Sequence, residues 1–128
     1  MSKYVPYHAE SAAYARKLAK GKAALKRYEA ITGYVSRNFV YDYIRAIQIP
    51  KKGGLPDVKG CWQKKMGICL DIASMTTGML RAAGLKAYLC IGPADRKYHA
   101  WVETVIDGQR YRYDHDGKAK VYKTERIY

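Results

Sequence analysis

The dipeptide Asp107-Gly108 stands between two strand-like runs, HAWVETVI over 99–106 and QRYRYD over 109–114. A two-residue hairpin of this kind needs a backbone that tolerates positive φ, and Asp-Gly supplies it at low cost. The turn also sets a register. With Asp107 and Gly108 at the tip, Ile106 opposes Gln109, Glu103 opposes Arg112, Trp101 opposes Asp114 and His99 opposes Asp116. Side chains alternate along a strand, so His99, Trp101, Asp114 and Asp116 project from one face of the sheet. Either aspartate then lies within direct or diagonal cross-strand reach of the imidazole.

Upstream of the hairpin, MGICLDIASMTTGMLRAAG has the marks of a helix. Ala, Leu and Met are frequent, Asp71 falls in the first turn where a negative charge favours the dipole, and Gly84 supplies the stop. Cys69, Ile72, Ala73, Thr76, Leu80 and Ala83 share one face at helical spacing, with Asp71, Ser74, Gly78 and Arg81 on another. Cys69 therefore sits where this helix begins. The strand KAYLCIG and the polar loop PADRK lead from it to the hairpin. Residues 8–20 and 22–37 form two further helices broken near Gly21, the second with Ala24, Tyr28, Ile31 and Val35 on its apolar face. NFVYDYIRAIQI is apolar and aromatic and fits strand or helix, while PKKGGLPDVKG is a loop. The chain thus divides into a helical part, 1–49, and an α+β core, 60–128, within a single domain of 128 residues.

Composition narrows the function classes. No run of eighteen apolar residues exists to cross a bilayer, and the N-terminal MSKYVPYHAESAAYARK has no signal-like apolar stretch. A net charge of +13, spread over both halves, favours contact with an anionic partner. No nucleic-acid module accompanies it, which argues against DNA or RNA as the primary target. Three cysteines leave at least one thiol free and exclude a disulfide framework. No CxxC or HxxxH pair presets a zinc site, and the scattered acidic residues form no oxygen cage for calcium. No cofactor or metal is expected.

A lone cysteine is ordinarily a small buried hydrophobe, and Cys90, in mid-strand, and Cys61, beside Trp62 at a loop, fit that description. Likewise, His8 and His115 lack a partner arrangement. Cys69, His99 and an aspartate differ because they come together in the right order. A helix start stabilises a thiolate, an imidazole can take and return its proton, and a carboxylate can orient the ring. The backbone N–H of Cys69 is also a donor for a developing oxyanion.

These residues resemble the core of the transglutaminase-like superfamily. Its pattern of G-x-C-x-D-x-A, a helix ending R-A-x-G, a strand, H-A-W-x-E and a later carboxylate is matched by GICLDIASMTTGMLRAAG and YHAWVETVIDGQRYRYD across residues 60–116. The upstream ITGYVSRNFVYDYIRA also resembles bacterial members. The resemblance implies an α+β, papain-like fold with the nucleophile helix packed on a small antiparallel sheet. It implies Cys69 as nucleophile, His99 as acid and base, and Asp114 as the orienting carboxylate, although the register alone admits Asp116 equally. Relatives commonly carry Asp-Pro-Thr where this chain has Asp114-His115-Asp116. An upstream aromatic residue often assists the oxyanion in this group; Tyr41 is the candidate, with Trp62 or Gln63 as alternatives. Trp101 is expected to wall the imidazole from water, and Glu103 to pair with Arg112. Asp71 and Arg81 are expected to do structural work on the nucleophile helix.

Acyl transfer through a thioester on a peptide or protein substrate is the implied activity, with hydrolysis favoured over lysine cross-linking. A non-catalytic binding module with a basic surface is the competing reading. Specificity is expected in the 50–60 and 93–97 loops and the N-terminal helices. The family implies a secreted or cell-surface protein if a leader has been removed, and a cytoplasmic one otherwise.

Overall fold

In a computed structural model the chain is described over residues 2–48, 54–95 and 97–128. Helix α1 (Ala9–Ala19) is capped by His8, whose ring accepts from the Ser11 N–H, and buries Ala12, Ala15 and Ala19. Gly21, at φ 74°, breaks the chain before α2 (Ala24–Asn38). That helix buries Ile31 and Val35, with Ala24 and Tyr28 packed at its edge, as its apolar spacing predicts. The ambiguous segment divides into β1 (Val40–Tyr41) and α3 (Tyr43–Gln48).

The expected 50–60 loop is shorter than its composition suggests. Residues 50–53 lie outside the described residues, and α4 (Val58–Lys64) begins inside the remainder. Asp57 caps α4 by accepting the Gly60 N–H at 2.9 Å, and a Cβ at Gly60 would collide with the capping carboxylate. The glycine that reads as a loop residue thus belongs to a helix cap. Cys61 and Trp62 consequently lie in a helix and are buried, rather than packing within a loop.

Strand β2 (Met66–Gly67) pairs parallel to β1 and sets Tyr41 beside Gly67, two residues before α5 (Cys69–Ala82). Helix α5 is central. It packs on α1, α2 and α4 to one side and on strands β3 (Lys86–Ala94) and β4 (Lys97–Ile106) to the other. That double covering explains a departure from the two-faced pattern. Asp71, Ser74, Met75 and Met79 are buried together with the apolar stripe, because helices rather than solvent cover the far side. Strand β5 (Gln109–Tyr113) and strand β6 (Arg126–Ile127) complete an antiparallel sheet of order β5-β4-β3-β6. The hairpin register is as read from Asp107-Gly108: Ile106 pairs with Gln109 and Glu103 with Arg112, and the turn residues have φ of 52° and 77°. Strand β3 runs two residues further than KAYLCIG and leaves the PADRK region as a tight turn at Asp95, φ 56°, next to Arg96, which lies outside the described residues.

The start of α5 is fixed by its own third residue. Asp71 is 1% exposed, and its two oxygens accept four hydrogen bonds. Arg45 of α3 donates from Nε at 2.6 Å and Nη2 at 2.8 Å, the Asp57 N–H at 2.8 Å, and the Ile68 N–H at 3.0 Å. Ile68 has no polar side chain to cap with, so the helix relies on this reciprocal half of a capping box. Gly67 is held to glycine by the same packing, since a Cβ there would lie 2.8 Å from the Cys61 sulfur and 2.9 Å from the Asp71 Cβ. At the other end Arg81 donates to the carbonyls of Ala87 and Tyr128, tying α5 to β3 and to the residue after β6.

Removing one partner of a buried, hydrogen-bonded ion pair strands the other groups. Asp71→Asn should therefore lower the unfolding free energy by about 3 kcal/mol in urea titrations. A loss below about 1 kcal/mol would show that Asp71 does not hold the helix start.

Candidate active site

Cys69 occupies the first position of α5, where the backbone N–H groups of the opening turn have no intrahelical partner and the dipole is positive. It is half-buried, whereas Cys61 and Cys90 are 2% exposed. Burial pushes the Cys61 thiol up to about 12 and the Cys90 thiol up to about 11, which keeps both protonated at neutral pH. Cys69 borders a cleft. This opening is lined by Cys69, Ile72, Ala73, Trp101, Asp114 and His115 among others.

His99 enters from the first turn-proximal part of β4. Its Nε2 lies 2.8 Å from Asp114 Oδ1, and the two side chains are 14% and 5% exposed. Burial disfavours the imidazolium, but hydrogen bonds to Asp114 and to Cys69, with the charges behind them, outweigh it and raise the ring to about 10. With Nε2 held by Asp114, Nδ1 is the nitrogen available to the Cys69 sulfur. Asp114 is pulled the opposite way: burial raises its carboxyl, and bonds from His99, Tyr122 and the Asp116 N–H hold it below the ordinary carboxylate range.

The register alone left Asp114 and Asp116 equivalent, and the structure separates them. Pairing between β4 and β5 stops at Val102 and Tyr113. The Asp116 N–H then donates to Asp114 Oδ1 at 3.1 Å, an Asx-type bond that curls the chain and leaves Asp116 exposed. The aspartate on the diagonal, not the one directly opposite, reaches His99.

Trp101 shares the His99 face and is 1% exposed. Its ring stacks near the imidazole, with centroids 6.3 Å apart, and its Nε1 donates to Glu103 Oε2 at 2.9 Å. Glu103 also accepts from Arg112 Nε at 2.9 Å across the hairpin. Tyr41, carried by β1 beside Gly67, is close enough to Cys69, Tyr43, Asp116 and Asp71 for their charges, after burial, to raise its hydroxyl above the usual value. Trp62 lies elsewhere, packed among Tyr14, Tyr34 and Phe39 with Lys65 over its ring at 3.6 Å. Gln63 is exposed on α4.

Two residues at the site escaped the sequence reading. Tyr122 donates from its hydroxyl to Asp114 Oδ2 at 2.7 Å. His115 lines the cleft, with Nδ1 2.9 Å from the Tyr113 hydroxyl, which in turn lies 3.0 Å from Ser36 Oγ. The Ser36 and Tyr113 partnership spans the chain, so no local motif announces it.

Comparison with known proteins bears on the fold and the family. No curated protein sequence matches the chain. In structure it is similar to a proposed cysteine protease of Cytophaga hutchinsonii, with a TM-score of 0.72 and 20% identity over 92% of this chain and 40% of that one. It is also similar to a proposed protease of Parabacteroides distasonis, with a TM-score of 0.70 and 19% identity over 86% of this chain and 24% of that one. A protein described as a TGase matches with a TM-score of 0.62 and 19% identity, over 92% of this chain and 34% of that one. This chain therefore spans well under half the length of each. The sequence model of the transglutaminase-like superfamily matches residues 12–114, and with most of the sequence so covered the chain belongs to the transglutaminase-like superfamily.

Proposed function

We propose that the protein is a cysteine-dependent acyl-transfer enzyme that hydrolyses a peptide or amide bond through a thioester on Cys69. The observation that carries this reading is His99 shared between Asp114, at 2.8 Å, and the Cys69 sulfur. In the acylation step Cys69 Sγ attacks the substrate carbonyl carbon while Nδ1 of His99 holds the thiol proton. His99 returns that proton to the leaving amine as the C–N bond breaks. Water then attacks the thioester, giving its proton to His99, and the carboxylate product leaves with the thiol restored. The Cys69 N–H and the Tyr41 hydroxyl are the donors for the oxyanion formed in each half. Asp114 fixes the ring tautomer and supports the imidazolium.

The alternative acceptor is a lysine amine, which would make the protein a cross-linking enzyme. Hydrolysis is favoured because the cleft beside Cys69 opens to solvent and because two of the three structural neighbours are named as proposed proteases. Exposed Val40, Tyr43, Ile44 and Ile47 beside Tyr41 support an extended substrate with apolar side chains.

Profiling the wild type and Cys69→Ala against a peptide and amine-donor library should give cleavage by the wild type alone. Amine incorporation outpacing cleavage would instead make the protein a transglutaminase, and two inactive proteins would favour a binding module. The His99 environment also predicts a pH profile. Because its pKa is raised to about 10, His99 in the folded protein keeps the imidazolium through neutral pH and loses it as pH rises through about 10. Asp114→Asn removes a cause of that elevation, so the basic limb of kcat/KM should move to lower pH while the rate falls by about a hundredfold. An unmoved basic limb would contradict the role given to Asp114.

A further inference from the structure

Resting on the catalytic reading above, we infer that Tyr122 is a positioning residue for the Asp114–His99 pair, delivered by a chain segment that straps back across the sheet. Beyond β5 the chain leaves the hairpin at Asp114 and returns along the edge of β3 opposite β4, the edge that β6 then joins. The Lys123 N–H donates to the Pro93 carbonyl at 2.8 Å, and the Glu125 N–H to the Ile91 carbonyl at 2.9 Å. Tyr122 bridges to Ala94 just before these contacts. Gly92 accommodates the approach, because a Cβ there would lie 2.0 Å from the Lys123 carbonyl oxygen.

The strap is anchored at the β3–β4 turn. Asp95 accepts the Lys120 N–H at 3.0 Å and the Val121 N–H at 2.8 Å, and its own N–H donates to the Val121 carbonyl at 2.7 Å. The next residue is Tyr122. Its ring meets Trp101 edge-on with centroids 5.0 Å apart, and the Arg112 guanidinium lies over the ring, 3.9 Å from its centroid. With the ring so held, the hydroxyl donates to Asp114 Oδ2 at 2.7 Å.

This arrangement leaves each Asp114 oxygen with a defined partner: Oδ1 takes His99 Nε2 and the Asp116 N–H, and Oδ2 takes Tyr122. A carboxylate held on both oxygens cannot rotate away from the ring, so His99 keeps the orientation in which Nδ1 points to Cys69. The charged and titratable groups facing the carboxylate are His99 from β4, Tyr113 and, across the Tyr122 ring, Arg112 from β5, and Tyr122 from the strap, with Asp95 acting on Tyr122 from the turn. Tyr122 itself is pushed up to about 12, by burial and then by its bond to Asp114, so it stays a donor throughout the working range.

Tyr122→Phe tests the inference, since it keeps the ring between Trp101 and Arg112 and removes only the donor. The readouts are the acid inflection of the His99 ring resonances in an NMR titration, the iodoacetamide labelling rate of Cys69 at neutral pH, and the melting temperature. Asp114 loses one cause of its lowered carboxyl, so the inflection that reports its protonation should move to higher pH. Cys69 labelling should slow about tenfold with little change in melting temperature. Asp95→Gly, which tolerates the positive φ and releases the strap, should move the inflection in the same direction. An inflection that stays in place in both variants overturns the inference, even if labelling slows, because slower labelling alone reflects a merely structural role. The NMR reading does not depend on the chemistry of Cys69. A shifted inflection together with a wild-type Cys69 no more reactive than the other thiols would therefore sustain the positioning role and remove the catalytic reading.

Discussion

The buried carboxylate of Asp71 holds together the parts of this protein that no single element could align. A carboxylate that is 1% exposed is tolerable only when its lone pairs are filled, and the four donors that fill them come from three separate segments. Arg45 brings α3, Asp57 brings the start of α4, and Ile68 brings the residue before the cysteine. The desolvation cost of the ion is offset only in that one arrangement. Cys69 inherits its place at the helix mouth from a residue two positions further on.

A second carboxylate repeats the device at the other side of the cleft. Asp114 is also nearly enclosed and also draws its donors from separate segments: a ring from β4, an amide from its own turn and a hydroxyl from the returning strap. The two aspartates thus do parallel work, one on the helix that carries sulfur and one on the strand that carries imidazole. Between them the sheet and the helical layer are joined by apolar contact of Ile72, Ala73, Ala100 and Val102. Packing brings the two halves near each other, and the polar bonds set their angles.

Much of this was legible because it was local. Asp-Gly determined the hairpin register as far as the strands remain paired, and Cys69 followed from the helix signal around it. Legibility failed where long-range contacts decide. Extrapolating the register past Tyr113 placed Asp116 opposite His99, but an Asx bond two residues long ended the strand first. Helix α4 was hidden because Gly60 serves a cap that only coordinates display. The two-faced pattern of α5 concealed the burial of Asp71, Ser74, Met75 and Met79, since sequence periodicity does not show how many layers will cover a helix. Tyr122 lies in a lysine-rich stretch with neither period, and its value comes entirely from where the strap lands.

Cys69 differs from Cys61 and Cys90 in its place at a helix start beside an imidazole. Competitive alkylation with limiting iodoacetamide, quantified by peptide mass spectrometry for all three cysteines, measures this directly. Cys69 should be modified far faster than Cys61 or Cys90, and His99→Ala should erase most of its advantage while leaving the other two unchanged. Equal modification of the three sulfurs in the folded protein, or an advantage at Cys69 that survives loss of the imidazole, would contradict the arrangement described.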